Sequence, residues 1–146
     1  MRSAPDTYFI TAAIAKRRTL LQDDEHASLL SKLTFHFRDE GRYFLHAFVI
    51  MPDHMHALIT PSYDHTVERC MQCIKAGFSH AIGKHGRMAD GVWQRGFREL
   101  KVRDAEDYVR RKGYIAQNPE DWGLRDYRLV HVSGPLLDPT PKRLRV

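Results

Sequence analysis

The sequence predicts an α+β fold, in which an antiparallel sheet packs against helices. Three observations indicate this class. Short segments rich in β-branched and aromatic residues, such as 43–50 and 54–60, are typical of strands. Longer segments with apolar residues at helical spacing, such as 23–37 and 66–84, alternate with them. A tight turn, Met51-Pro52-Asp53, leads directly from one strand into the next.

The elements follow one another in the order β-α-β-β-α-β, with a third helix before a short last strand. Strands are predicted at 7–13, 43–50, 54–60, 97–102 and 129–132, and helices at 23–37, 66–84 and 105–117. This order is that of the ferredoxin-like split β-α-β fold, with an antiparallel sheet, two helices on one face and an additional helix. Residues 1–134 are predicted to form a single domain, and 135–146 an irregular basic tail.

Polar residues and glycine mark the predicted helix ends. Asp23 or Asp24, Thr66 and Asp104 precede the three helices and are expected to cap them. Gly41 is expected to end the first helix. The dipeptide Asn118-Pro119 is expected to end the third, because the residue before proline disfavours the helical conformation.

The chain is basic, with 23 Lys and Arg against 18 Asp and Glu, a formal charge of +5 and a pI near 9.4. This charge favours a polyanionic partner such as nucleic acid, although a merely basic enzyme is the alternative. Cys70 and Cys73, the two cysteines of the sequence, lie within a helical pattern and lack a second pair, which favours packing over a zinc or redox role. No segment resembles a signal peptide or membrane span, so we expect a cytoplasmic protein with no membrane partner.

His54 and His56 are the most informative pair of residues in the sequence. Residues two apart on a strand share a face, so the two imidazoles form half of a divalent-metal site. The alternative is that they are ordinary polar positions of a half-buried strand.

A second segment places Tyr114 four residues before Asn118, about one helical turn apart. Together with the histidines, the amide oxygen of Asn118 would complete a site for a cation that activates a phosphoryl group, which the Tyr114 oxygen then attacks. Tyrosine has a pKa near 10, so it needs a nearby cation or base to attack at neutral pH.

Four segments together resemble the HUH-type single-tyrosine transposases, particularly the REP-associated tyrosine transposases of bacteria. They are Tyr8-Phe-Ile-Thr11, Val49-Ile-Met-Pro-Asp-His-Met-His-Ala-Leu-Ile59, Trp93-Gln-Arg-Gly-Phe97 and Tyr114-Ile-Ala-Gln-Asn-Pro-Glu-Asp-Trp-Gly-Leu124. The resemblance extends from about residue 6 to 132.

The resemblance implies that His54, His56 and Asn118 bind a divalent metal, Mg²⁺ or Mn²⁺, and that Tyr114 is the nucleophile. The implied activity is that of a transposase, which cleaves hairpin-associated single-stranded DNA through a 5′-phosphotyrosine and transfers the strand. Such proteins act as homodimers or monomers. Two departures stand out: Asp53 replaces a frequent asparagine, where we favour a turn-capping role over a role at the cation, and Arg98-Glu-Leu-Lys101 follows the tryptophan segment where relatives often carry histidine.

Basic and aromatic residues supply candidate contacts to single-stranded DNA. They are Lys16, Arg17, Arg18, Lys75, Lys84, Arg87, Arg95, Arg110, Arg111 and Lys112, with Trp93 and Trp122 as stacking residues. Residues 110–112 are the strongest candidates for DNA contacts, because they lie within about a turn of Tyr114 and would lower its pKa or hold a phosphate. The alternative for each cation is a solvated surface charge. Phe9 and the other strand aromatics are expected to pack, and the remaining histidines receive no role.

Two other functions fit the same residues. One is a binding module that kept the fold and lost catalysis, and the other is a metal hydrolase in which water attacks and Tyr114 is structural. The sequence leaves open the DNA hairpin and target, the metal, the oligomeric state, whether Tyr114 acts in its own subunit, and whether the protein is a mobile-element transposase or a domesticated relative.

Overall fold

The computed structural model describes residues 5–83, 91–121 and 130–132, with the side chains of 119–121 excepted. Its strands are β1 (Tyr8–Ala13), β2 (Tyr43–Met51), β3 (His54–Pro61), β4 (Arg98–Lys101) and β5 (Val130–Val132). Its helices are α1 (Asp24–Asp39), α2 (Val67–Gly83) and α3 (Ala105–Asp121). Two short 3₁₀ turns, Ala15–Arg17 and Leu20–Gln22, lie between β1 and α1.

The strands form one sheet in the order β4-β1-β3-β2-β5, with every neighbouring pair antiparallel. This is the predicted split β-α-β arrangement, because β3 lies between the two strands that α1 connects. β3 is buried along its whole length. At its amino end His56 pairs with Thr11 of β1 and with Val49 of β2. Hydrogen bonds on both sides make β3 a rigid support for side chains.

The two faces of the sheet carry different helices. On one face, α1 and α2 pack against side chains such as Ile10 and Met55. On the other face, Phe9 and Leu58 pack against Tyr108 and Ile115 of α3. Because side chains alternate along a strand, the even-numbered His54 and His56 lie on the same face as Leu58, beneath α3. The predicted pair of helices on one face with an additional helix is therefore confirmed.

The predicted caps are largely confirmed. The Asp23 carboxylate accepts backbone N–H groups of the first turn of α1, the Thr66 hydroxyl accepts one from Arg69, and the Asp104 carboxylate accepts one from Asp107. Gly41 follows α1 with a φ of 85°, a left-handed conformation that glycine adopts without strain.

The predicted end of the third helix at Asn118-Pro119 is wrong, since α3 continues to Asp121. Pro119 lacks an N–H group, but so near the end of a helix this removes only one intrahelical hydrogen bond. The continuation keeps Asn118 within regular helix, one turn after Tyr114 and on the same side of α3.

Several predictions fall outside the described residues. They concern Lys84, Arg87, Trp122 and the tail 135–146. Within the ranges that the structure describes, no helix is long and apolar enough to cross a membrane. Cys70 is buried in the core and Cys73 is half-buried on α2, which fits the packing interpretation.

Candidate active site

The two histidines lie side by side at the amino end of β3. His54 is 5% exposed and His56 is 7% exposed, and their ring centroids are 4.8 Å apart. The sequence prediction that they share a face is confirmed by their geometry. Two imidazoles this close, held on a central strand, are arranged as a pair of ligands would be.

Each ring is held through its Nδ1 atom. The Nδ1 of His54 lies 2.6 Å from Oδ1 of Asp53, and the Nδ1 of His56 lies 2.9 Å from the hydroxyl of Thr11. The sequence favoured a turn-capping role for Asp53. In the structure its carboxylate instead contacts His54 and Arg17. Thr11 had no signal in the sequence, and the signal for this use of Asp53 was its adjacency to His54.

Burial lowers the pKa of His56 to about 4, with smaller contributions from the neighbouring His54 and Arg17 that outweigh an opposing contact with the Ile10 backbone. The ring is therefore neutral at pH 7. Neutral imidazole is the form that binds metal ions, because a lone pair on nitrogen is then available.

Tyr114 projects from α3 beside the histidines and remains 46% exposed. Its ring lies 5.5 Å from that of His56, at a steep angle. Phe9 of β1 contacts both, stacked on His56 at 5.1 Å and edge-on to Tyr114 at 5.8 Å. The sequence assigned Phe9 to strand packing alone. Its contact with the tyrosine depends on how α3 lies across the sheet, for which the sequence carries no local signal.

Asn118 is 1% exposed, and its Oδ1 atom has no hydrogen-bond partner among the described residues. A buried amide oxygen without a partner is unfavourable, and a bound cation would satisfy it. No three His, Cys, Asp or Glu side chains gather as a metal site within the described residues. A cation bound by the two histidines would therefore need an oxygen ligand such as that of Asn118, and this donor set fits Mg²⁺ or Mn²⁺.

Two of the predicted DNA contacts lie at this site. Arg17 is 3.6 Å from the Asp53 carboxylate, with 58% of its side chain exposed, and its charge lowers the pKa of His56. The guanidinium of Arg111 lies over the ring of Phe9, at 5.2 Å. Lys16, Arg95 and Arg110 lie at the surface, where their contact with DNA stays a prediction.

Lys112 does not belong to a DNA surface. It is fully buried, and its Nζ atom donates to the Tyr108 hydroxyl at 3.3 Å. That hydroxyl also lies 2.9 Å from Nδ1 of His46, so a polar chain joins α3 to β2. The prediction that Lys112 holds a phosphate is wrong. A signal was available in the helical spacing, because Lys112 lies about one turn after the aromatic Tyr108 and about one turn before the apolar Ile115.

Arg18 and Lys75 hold loops in place. Arg18 donates to the carbonyl groups of Ala15 and Gly91, and Lys75 donates to those of Gln94 and Gly96. Both cationic groups thus support loop carbonyls, and their contact with DNA stays a prediction.

Trp93 was predicted to stack on bases from a loop. Instead, Trp93 forms an isolated β-bridge with Ile14, its ring lies 5.6 Å from that of Phe78, and its indole N–H donates to the carbonyl of Lys75. Trp93 is partly buried in the core beneath α2. The structure therefore gives it a packing role that sequence reasoning missed.

The chain is similar to known transposases in sequence and in structure. The family model Transposase IS200 like matches residues 6–118. The REP-associated tyrosine transposase of Escherichia coli (strain K12) is 30% identical over 118 residues, which cover 80% of this chain and 68% of the relative. A solved structure of a REP-associated tyrosine transposase bound to a REP hairpin is similar with a TM-score of 0.72 and 26% identity, covering 89% of this chain and 78% of that one.

Proposed function

Because this chain belongs to the IS200-like transposase family, among the REP-associated tyrosine transposases, we propose that it cleaves and rejoins single-stranded DNA beside a hairpin with Tyr114 as nucleophile. The observation that carries the proposal is the position of Tyr114. Its half-exposed ring lies 5.5 Å from a buried, neutral histidine of a histidine pair. An exposed nucleophile beside a pair of potential metal ligands is what this chemistry requires.

The proposed metal ligands are His54, His56 and the amide oxygen of Asn118. The depressed pKa of His56 and the unpartnered Oδ1 atom of Asn118 support this choice. A divalent cation bound there would polarise a phosphoryl oxygen and help to neutralise the charge of the phosphate. The side chains of the protein would carry out the other steps of cleavage.

In the proposed cleavage, the Tyr114 oxygen forms a bond to phosphorus while the bond between phosphorus and the 3′ oxygen breaks. The tyrosine hydroxyl gives its proton to water, and the departing 3′ oxygen takes one up. The 5′ phosphate stays on Tyr114 as a phosphodiester, so the energy of the broken bond is conserved. Attack by another 3′ hydroxyl reverses the step and joins strands without a nucleotide cofactor.

The proposed partner is single-stranded DNA that carries a hairpin. Support comes from the formal charge of +5 and from the similar transposase that was solved with a REP hairpin. Arg17 and Arg111 are the best-placed cations for the scissile phosphate, because Arg17 lies near the histidines and Arg111 contacts the same Phe9 ring as Tyr114.

We also propose that Tyr114 acts in its own subunit, because its ring contacts His56 of the same chain. Mixing Tyr114→Phe with His56→Ala protein tests this point. If the tyrosine acts on the metal site of its own chain, the mixture stays inactive. Recovery of cleavage in the mixture would mean that the tyrosine acts across a dimer.

A covalent-trapping assay tests the function. Labelled hairpin oligonucleotides from the DNA that flanks the gene are incubated with protein and Mg²⁺ or Mn²⁺, then separated under denaturing conditions. The wild type should form a denaturant-stable protein–DNA adduct that Tyr114→Phe abolishes. Tyr63→Phe is the matched control, since Tyr63 is a similarly exposed tyrosine on another part of the surface.

The outcomes separate the competing functions. If DNA is cleaved without an adduct, and if this cleavage persists in Tyr114→Phe, a hydrolase in which water attacks is favoured. Hairpin binding without cleavage across the whole set of flanking oligonucleotides would favour a binding module. An adduct that forms equally in EDTA would refute the proposed metal.

A further inference from the structure

We propose that Asp53 is a positioning residue of the metal site: its carboxylate holds His54 with the proton on Nδ1, so that Nε2 carries the lone pair for the cation. This inference rests on the proposed function, since it concerns the same metal site. It replaces the turn-capping role that the sequence favoured for Asp53.

The contact between the carboxylate and the ring decides which tautomer His54 adopts. Oδ1 of Asp53 lies 2.6 Å from Nδ1 of His54, and the two side chains are 17% and 7% exposed. A carboxylate only accepts hydrogen bonds, so Nδ1 must be the donor. The lone pair of the neutral ring is then on Nε2. Carboxylate–histidine pairs of this kind orient a ligand and increase its basicity.

The carboxylate itself is fixed by the structure around it. The backbone carbonyl of Asp53 accepts from Ile14 at 2.9 Å, and that of Pro52 accepts from Leu21 at 3.0 Å, so the turn is fastened to the segment after β1. Oδ2 faces the guanidinium of Arg17 at 3.6 Å. The two carboxylate oxygens of Asp53 thus have separate partners: Oδ2 faces Arg17, and Oδ1 contacts the His54 ring.

The second histidine is held differently. Nδ1 of His56 lies 2.9 Å from the Thr11 hydroxyl, which can donate or accept. That contact orients the ring but does not by itself choose a tautomer. The Asp53 carboxylate, by contrast, can only accept, so its contact with His54 by itself places the proton on Nδ1.

The chain contains a second Asp-His dipeptide that serves as a matched control. Nδ1 of His65 lies 3.0 Å from Oδ1 of Asp64, with the same adjacency in sequence, but Asp64 is 83% exposed. Water competes for an exposed pair, so this contact should contribute little to tautomer choice. Substituting Asp64 repeats the chemical change of the Asp53 variants away from the site.

The first readout is the tautomer of His54 in metal-free protein. It is measured from ¹H–¹⁵N spectra of ¹⁵N-histidine-labelled protein, and single His→Gln variants assign the signals. The wild type should show the proton of His54 on Nδ1. Asp53→Asn keeps an oxygen acceptor and should preserve this tautomer, whereas Asp53→Ala should shift it towards a mixture. Asp64→Ala should leave the spectrum of His54 unchanged, and circular dichroism checks that every variant is folded.

The second readout is Mn²⁺ affinity by calorimetry. Loss of an outer carboxylate typically weakens metal binding about 10- to 100-fold. Asp53→Ala should fall in that range, Asp53→Asn should lie between it and the wild type, and Asp64→Ala should match the wild type. If Asp53→Ala kept the wild-type Mn²⁺ affinity and the wild-type His54 tautomer, this inference would be wrong, but the proposed metal site would stand. Failure of the wild type to bind Mn²⁺ better than His56→Ala would overturn the proposed metal site and this inference with it.

Discussion

Asp107 offers the sharpest test of how α3, the helix that carries Tyr114, is held in place. Its side chain is 2% exposed and lies in the first turn of α3. It accepts the backbone N–H of Arg103 at 3.1 Å and forms ion pairs with Arg110 at 2.8 Å and Arg111 at 3.5 Å. We expect Asp107→Asn to destabilise the folded protein.

The expected size follows from the pKa of Asp107. The backbone hydrogen bond from Arg103 lowers it most, followed by Arg110 and by the charges of Arg103 and Arg111, to about 2 from an ordinary 3.8. A fall of this size corresponds to about 2 kcal/mol. The side chains of Arg103 and Arg110 are largely exposed, at 72% and 59%. Because water screens their charges, we expect Asp107→Asn to lower the free energy of unfolding by about 1–2 kcal/mol.

The effect should depend on pH in a defined direction. Folding lowers the pKa of Asp107, so the unfolded chain takes up the proton first as the pH falls. The stabilisation is therefore fully present above pH 3.8 and is lost as the pH falls through about 2. The difference between wild type and Asp107→Asn should be constant from pH 7 to 5 and should shrink below pH 4.

Urea denaturation at pH 7, 5, 4 and 3 measures this difference. Asp39→Asn is the control, because Asp39 is 66% exposed beside Arg38, and it should change the free energy of unfolding by less than about 0.5 kcal/mol. The reasoning would be refuted by an Asp107→Asn protein as stable as the wild type at pH 7. A difference that stays constant down to pH 3 would also refute the electrostatic origin.

Three further predictions concern the site and its support. Phe9→Leu should slow adduct formation about 10- to 100-fold in timed trapping assays, because Tyr114 and His56 lose the ring that both contact. Mn²⁺ at a hundred times its Kd should raise the free energy of unfolding by about 2.7 kcal/mol in thermal scans, and EDTA should reverse the increase. Tyr108→Phe should lower the free energy of unfolding by about 1–3 kcal/mol in urea, because its hydroxyl bonds His46 in the core.

Each of these predictions has a control. Phe44→Leu, a change on a half-buried strand residue away from the site, should leave adduct formation unchanged. His56→Ala should show no stabilisation by Mn²⁺, and a response equal to that of the wild type would place the cation elsewhere. Tyr63→Phe should leave stability unchanged, since Tyr63 is exposed. A Tyr108→Phe protein as stable as the wild type would mean that the buried polar chain contributes nothing.

Features that depend on short stretches of backbone were predictable from the sequence. The shared face of His54 and His56 follows from the two-residue period of a strand, and the caps at Asp23, Thr66 and Asp104 follow from the unpaired N–H groups of a helix start. The order of elements also indicated the split β-α-β topology. The misplaced end of α3 at Asn118 shows the limit of such rules, because one lost hydrogen bond near a helix end is tolerated.

The partners of each site residue were decided by the tertiary structure. Arg111 and Lys112 are neighbours in sequence, yet one lies over Phe9 near Tyr114 and the other is buried against Tyr108, because the sheet covers only one side of α3. The sequence determined which chemical groups this protein has and their local spacing. Packing of segments far apart in the chain determined which of those groups meet, and brought an aromatic ring from β1 into contact with both the histidine and the tyrosine.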